Sequence, residues 1–279
     1  MRRRLFGQKR TKVNTLFTIA IFTTLSAISS VSCSRNDNVL VTEIKVTPPS
    51  RRSATASIGG EFYLQGKNQH LNGDLQAAIA SYDKAIAQNP QYGAAYNGRG
   101  LVYFDSGDKE KAIADYNEAI RINPDNAEAY NNRGNARASL GNNREAVKDY
   151  SEAIRLNPNY AEAYNNRGNA HATLGEKRRA LNDFDQAILL NPKYAIAYNN
   201  RGNARAANGD RQGAIADYNQ AIRFNPNFAA AYNNRGNARA TNGDKQGALK
   251  DLEQAASIFQ TQGNNDLYQQ VMKNIKELG

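Results

Sequence analysis

Carboxamides recur along this chain at a fixed interval. Asn97, Asn131, Asn165, Asn199 and Asn233 stand 34 residues apart, and so do Asn132, Asn166, Asn200 and Asn234. A third set, Asn135, Asn169, Asn203 and Asn237, keeps the same spacing. A carboxamide does not shuttle protons at neutral pH. It binds, donating to a carbonyl and accepting from an N–H together. A row of them matches the backbone of an extended peptide without reading its side chains. Groups for other chemistry are sparse. His70 and His171 lie in different parts of the pattern, with no carboxylate or cysteine partners at ligand spacing. No glycine-rich phosphate loop, nucleophile elbow or carboxylate pair stands out. Lys177, Arg178 and Arg179 read as a solvated helix face. The expectation is a binding protein with no catalytic residue, no metal and no cofactor.

The elements that hold this row follow from the period. A 34-residue ruler divides residues 59–262 into six units: 59–92, 93–126, 127–160, 161–194, 195–228 and 229–262. Positions within a unit are numbered 1 to 34. Position 4 is aromatic throughout, from Phe62 and Tyr96 to Tyr232, and position 8 is always glycine, from Gly66 to Gly236. Positions 20 and 27 are always alanine, and position 24 is Tyr82, Tyr116, Tyr150, Phe184, Tyr218 and Leu252. Positions 17–30 show helical periodicity, as in Ala146, Val147, Tyr150, Ala153 and Ile154. Gly-Asp or Gly-Asn steps such as Gly73-Asp74 close one helix and cap the next. Asn-Pro then ends the second helix, with proline at position 32 of five units (Pro90, Pro124, Pro158, Pro192, Pro226). Each unit is therefore a pair of helices that buries its apolar face only by stacking on its neighbours.

This pattern resembles the tetratricopeptide repeat, over about 204 of the 279 residues. The resemblance implies an all-α fold: a right-handed superhelical solenoid of six helix-turn-helix units, with the first helices lining a concave groove. One departure is systematic. Position 7, usually leucine in that family, is Arg99, Arg133, Arg167, Arg201 and Arg235, and position 23 of the same units is Asp115, Asp149, Asp183, Asp217 and Asp251. The first unit has Gln65 and Ser81 instead. The two changes travel together and read as an ion pair bridging the helices of a unit. Residues 263–279 add a capping helix, with Leu267, Val271, Ile275 and Leu278 on one face. The repeats are also similar to those abundant in cyanobacterial proteins.

Positions 2, 5, 9, 12 and 13 share one stripe of the first helix, which the resemblance places in the groove. The expected peptide-binding residues are Asn131, Asn135, Asn165, Asn169, Asn199, Asn203, Asn233 and Asn237. Asparagine is a poor helix former, so three per helix point to a gain elsewhere. Similar ladders occur in the repeat domain of the O-linked N-acetylglucosamine transferases. The other reading is that Asn at position 5 or 6 satisfies loop carbonyls of the neighbouring unit, or is simply copied by recent duplication. Arg137, Arg205 and Arg239 at position 11, with His171, either pack beside the ladder or add charge for an acidic partner.

The amino-terminal residues have different physics. Arg2, Arg3, Arg4, Lys9, Arg10 and Lys12 precede an uncharged run from Val13 to Ser34. A basic start and a short apolar segment describe a secretory signal or a membrane anchor over residues 1–33. Cys33, the only cysteine, ends Ser30-Val31-Ser32-Cys33. This resembles a bacterial lipoprotein processing site, with Ser30 where leucine is usual; ordinary cleavage and an uncleaved anchor are the alternatives. Residues 34–58 read as a flexible linker. The formal net charge of +10 divides as +7 in residues 1–35, +1 in residues 36–58 and +2 in the remainder. The basic character therefore reads as targeting, and nucleic acid is not an expected partner. The expected function is a non-enzymatic scaffold, exported or membrane-tethered, that holds an extended segment of a protein partner. The alternative is an assembly factor of an envelope complex, acting by self-association or through its convex face. Oligomeric state is left open.

Overall fold

The computed structural model describes residues 58–279. The expected signal or anchor, Cys33 and the linker up to residue 57 lie outside the described residues. Within 58–279 there are thirteen α-helices and no strand. The first helices of the six units are α1 (Gly60–Leu71), α3 (Gly93–Asp105), α5 (Ala127–Ser139), α7 (Ala161–Thr173), α9 (Ala195–Ala207) and α11 (Ala229–Thr241). The second helices are α2 (Leu75–Gln88), α4 (Lys109–Ile122), α6 (Asn143–Leu156), α8 (Lys177–Leu190), α10 (Arg211–Phe224) and α12 (Lys245–Thr261). The last helix is α13 (Asn265–Leu278).

Each helix boundary has a local cause. The glycines at the first turn of every unit, Gly73 to Gly243, take φ between 77° and 90°, where a Cβ would be strained. There the chain makes a Schellman ending: the Gly73 N–H donates to the His70 carbonyl and the Asp74 N–H to the Gln69 carbonyl, both at 2.9 Å. The following aspartate then caps the second helix, as Asp108 does by accepting from the Lys111 N–H at 3.2 Å. At the other end, asparagine before proline folds an Asx turn. Asn89, Asn123, Asn157, Asn191 and Asn225 each accept from the backbone N–H two residues on. The last unit has Gln260 in place of proline, and α12 accordingly runs to 17 residues where the other second helices have 14.

The core is a row of small residues keyed by one large side chain per unit. Position-20 and position-27 alanines are fully buried, and the position-24 side chains are 1–2% exposed. Burial of Phe184 or Leu252 contributes about 1.5–3 kcal/mol each. In the first five units the ring at position 24 lies on the glycine of position 8. A Cβ on Gly134 would stand 2.6 Å from Tyr150 Cε1, whereas one on Gly236 would meet Leu252 Cγ at 3.0 Å. Gly134→Ala gains about 1 kcal/mol of helix propensity but overpacks a caged ring at about 2–3 kcal/mol. We expect a net loss for Gly134→Ala and near neutrality for Gly236→Ala, read as urea midpoints by circular dichroism. Equal midpoints would show that the ring has room to move.

Units join in sequence. Each second helix packs on the next unit's first helix, and successive first helices also approach one another directly. Successive second helices do not approach to the same degree. The first helices therefore lie on the inner side of the stack. At the carboxyl end, α13 seats Val271, Leu267, Tyr268, Ile275 and Leu278 on Leu252, Ala255, Ala256, Ile258 and Phe259, which closes the last unit as the apolar face of its sequence predicts.

Candidate functional site

The polar layer begins with the arginine at position 7. In each of the five units its guanidinium grips the position-23 carboxylate of the same unit through two N–H groups. Arg167, for instance, donates from Nε to Asp183 Oδ2 at 2.9 Å and from Nη2 to Oδ1 at 2.7 Å. The expected pair is therefore present, and its arginine reaches further. Nη1 extends to position 25 of the preceding unit, where Arg133 meets Asn117 and Arg201 meets Asp185, both at 2.7 Å. The same guanidinium lies over the position-4 ring of its own helix, 5.4–5.6 Å from the centroid. One side chain thus ties three helices. The carboxylates are 2–6% exposed.

Position 11 resolves the same way. Arg137, Arg205 and Arg239 lie beside the second carboxylate oxygen, at 2.8, 2.9 and 2.7 Å from Asp149, Asp217 and Asp251. These cations pack against the fold. In the fourth unit His171 lies 3.8 Å from Asp183 and bonds Glu176 through Nδ1. In the second unit the place belongs to Tyr103. Burial pushes the Asp115 carboxyl up in pKa against the opposing pull of Arg99, the direction expected when desolvation outweighs a single partner. The first unit is the neutral counterpart, with the Ser81 hydroxyl donating to Gln69 Oε1 at 2.7 Å.

The asparagines divide into two sets, and this corrects the expected site. At position 5, Asn131, Asn165, Asn199 and Asn233 are only 3%, 1%, 1% and 7% exposed. The next unit's first helix covers them, so they do not face a groove. Their acceptors serve position 6 of the following unit: Asn166 donates to Asn131 at 3.2 Å, Asn200 to Asn165 at 3.0 Å and Asn234 to Asn199 at 3.0 Å. Asn132 opens the series by donating to Asn97. These amides are a rivet between units. The sequence suggested loop carbonyls of the neighbouring unit as partners, whereas the partners are asparagine side chains of the adjacent first helix. The signal was present: position 6 is Asn only where the preceding unit has Asn at position 5, and Gly98 follows Tyr63.

The series ends on an orphan. Position 6 after the sixth unit is Tyr268, and the buried Asn233 Oδ1 has no hydrogen-bond partner among the described residues. Asn199→Ala should cost about 1–2 kcal/mol, because it strands a donor of Asn234. Asn233→Ala should be close to neutral. Chemical denaturation of the two variants checks this, and equal losses would contradict the assignment.

Position 9 remains available. Asn135, Asn169, Asn203 and Asn237 are partly exposed on the inner stripe. Asn135 Oδ1 accepts from the Tyr150 hydroxyl at 2.8 Å and from Asn166 Nδ2 at 3.1 Å. Asn203 Oδ1 accepts likewise from Tyr218 at 2.8 Å and Asn234 at 3.0 Å. The amides of Asn169 and Asn237 make no hydrogen bond within the described residues. Position 2 beside this row carries exposed Glu128 and Glu162, then the half-buried Ile196 and Ala230. Along the asparagine row the flanking position 2 is therefore acidic in the third and fourth units and apolar in the fifth and sixth; in the first two units it is Gly60 and Ala94. His70, the remaining histidine, bonds Asp105 at 2.7 Å.

Comparison with known proteins agrees with this architecture. A family model described as TPR repeat matches residues 66–107, 100–141, 134–175 and 202–243. Two described as tetratricopeptide repeat match 161–194 and 229–262. Among solved structures, MamA is 28% identical over 59% of this chain and 96% of its own, with a TM-score of 0.52. YrrB, described as a TPR protein with an unusual peptide-binding site, is 26% identical over 61% of this chain and 88% of its own, with a TM-score of 0.51. A tetratricopeptide repeat protein from Parabacteroides merdae, 24% identical, covers 79% of this chain and 86% of its own at a TM-score of 0.63, a likeness of fold. A search of the curated proteins gave no match.

Proposed function

We propose, because this chain belongs to the tetratricopeptide repeat family, that it is a non-enzymatic scaffold whose first-helix face holds an extended segment of a partner protein. The observation that carries the reading is the row of partly exposed carboxamides Asn135, Asn169, Asn203 and Asn237. Each keeps at least one amide N–H without a partner among the described residues. The Arg–Asp layer and the position-5/6 rivet hold successive first helices in fixed register, so the amides are set before any partner arrives. Such preorganisation limits the ordering cost of binding. The peptide-binding description of YrrB is consistent with this.

The scaffold acts outside the cytoplasmic membrane in this reading. Residues 1–33 direct export, Cys33 is the lipid attachment point, and residues 34–58 tether the repeats. The test is selection of random 15-residue peptides on the full chain by display. Enrichment of extended, helix-poor sequences supports the groove, and failure to enrich any peptide contradicts it. Metabolic labelling with a lipid precursor tests the anchor separately, since Cys33→Ser should abolish incorporation.

A second reading, assembly by self-association, is favoured by one observation. Leu64 and Leu71 on α1, the first of the described helices, are 59% and 70% exposed, whereas α13 packs over the last unit. Light scattering decides it, because a strict monomer at all concentrations counts against assembly.

A further inference from the structure

The four rungs at position 9 are not equivalent, and the difference is written in position 24. Asn135 and Asn203 face Tyr150 and Tyr218, whose hydroxyls donate to their Oδ1 atoms at 2.8 Å. Both Oδ1 atoms also accept from the position-6 asparagine of the next unit. Their acceptor capacity is used, and the Nδ2 protons are what they present. Fifteen residues beyond Asn169, where the other two rungs have tyrosine, stands Phe184, which has no hydroxyl, and Asn200 donates to Asn165 and not to Asn169. Asn237 faces Leu252 and precedes Tyr268. These two amides keep both a donor and an acceptor free.

We infer that the groove reads the backbone of its partner with an alternating pattern: Asn135 and Asn203 each take a carbonyl, while Asn169 and Asn237 each take a carbonyl and an N–H. This rests on the groove reading above and specifies its partner. Packed helices lie about 8–10 Å apart. Three residues of extended chain, at roughly 3.1–3.4 Å each, cover that step. The partner therefore meets a rung about every third residue and must offer an N–H about every sixth. Proline, which lacks the N–H, is accepted opposite Asn135 and Asn203 and excluded opposite Asn169 and Asn237. The gate at each rung is the position-24 side chain, buried behind it and out of contact with any peptide.

That gate can be moved without touching the groove. Phe184→Tyr installs the side chain found at Tyr150 and Tyr218, fifteen residues beyond its rung as in those units, and so should fold normally. The new hydroxyl would take one lone pair of Asn169 Oδ1, and Asn200, which stands where Asn166 and Asn234 stand in their units, would then take the other as they do. Peptides of 15 residues selected from a random display library on the full chain serve as the probe, with affinity measured by calorimetry. We expect proline to be depleted at two positions about six residues apart, and Phe184→Tyr to weaken binding roughly two- to tenfold, the value of one net hydrogen bond. The thermal midpoint of the variant should stay unchanged. Proline tolerated everywhere, with full affinity in Phe184→Tyr, overturns the alternating pattern and leaves the groove standing. If no peptide is enriched at all, the groove reading fails and the pattern fails with it.

Discussion

Asp149→Ala is expected to cost the fold about 3–5 kcal/mol, the range for stranding one side of a buried ion pair. Asp149 is 3% exposed and takes three donors from Arg133 and Arg137, the shortest at 2.6 Å. Its removal leaves two guanidinium groups facing a closed interface. One of them, Arg133, also ties the preceding unit through Asn117. The loss therefore spreads across the junction of the second and third units. Stability in a stack of this kind sums over units and their interfaces, so the urea midpoint of the whole array should fall. Asp149→Asn keeps one of the two accepting oxygens, turns the other into a donor that faces a guanidinium and loses the charge, and should fall between wild type and Asp149→Ala. The combination Arg133→Met, Arg137→Met and Asp149→Leu removes the whole cluster and should return to within about 1–2 kcal/mol of wild type. A full-sized loss in that triple variant would mean that the layer supplies stability in its own right. An unchanged midpoint in Asp149→Ala would mean that water reaches the site.

The first unit already shows that the charges are dispensable. Ser81 and Gln69 fill the equivalent place with one neutral hydrogen bond. What the five ion pairs add is geometry, because a guanidinium with its donors aimed at two helices and a third neighbour permits one arrangement of the three.

Much of this was legible in the sequence because repetition makes one chain its own alignment. The helix pairs, their glycine and Asn-Pro boundaries and the close approach at position 8 each recur often enough to fix their cause. So does the coupling of positions 7 and 23. The division among the asparagines was not legible from one helix. Positions 5 and 9 share a stripe by helical spacing, yet the next unit's first helix covers one and leaves the other. Which of them is covered depends on how far the units rotate against each other, and no single helix encodes that. The partners of position 11 were hidden for a similar reason. Arg137 lies on the first helix and its carboxylate on the second, and the Arg at position 7 of the same unit already accounted for that carboxylate. The unpaired Asn233 marks where the repeat stops while the residue type continues.

Specificity in this scheme comes from few side chains. The backbone-reading rungs accept many sequences, and the face beside them changes from Glu128 and Glu162 to Ile196 and Ala230 along the stack. A partner segment that is basic at the end near the third unit and apolar near the sixth fits that gradient, with like charge against the glutamates as the element that rejects wrong partners.

The central claim is that the position-9 row holds a peptide. Its most direct test replaces Asn135, Asn169, Asn203 and Asn237 together by alanine and titrates a selected 15-residue peptide into the full chain. Even one lost hydrogen bond per rung, at about 0.5–1.5 kcal/mol each, predicts a fall in affinity of at least about thirtyfold, with helicity preserved because alanine is the better helix former. Unchanged affinity in a folded quadruple variant would contradict the account.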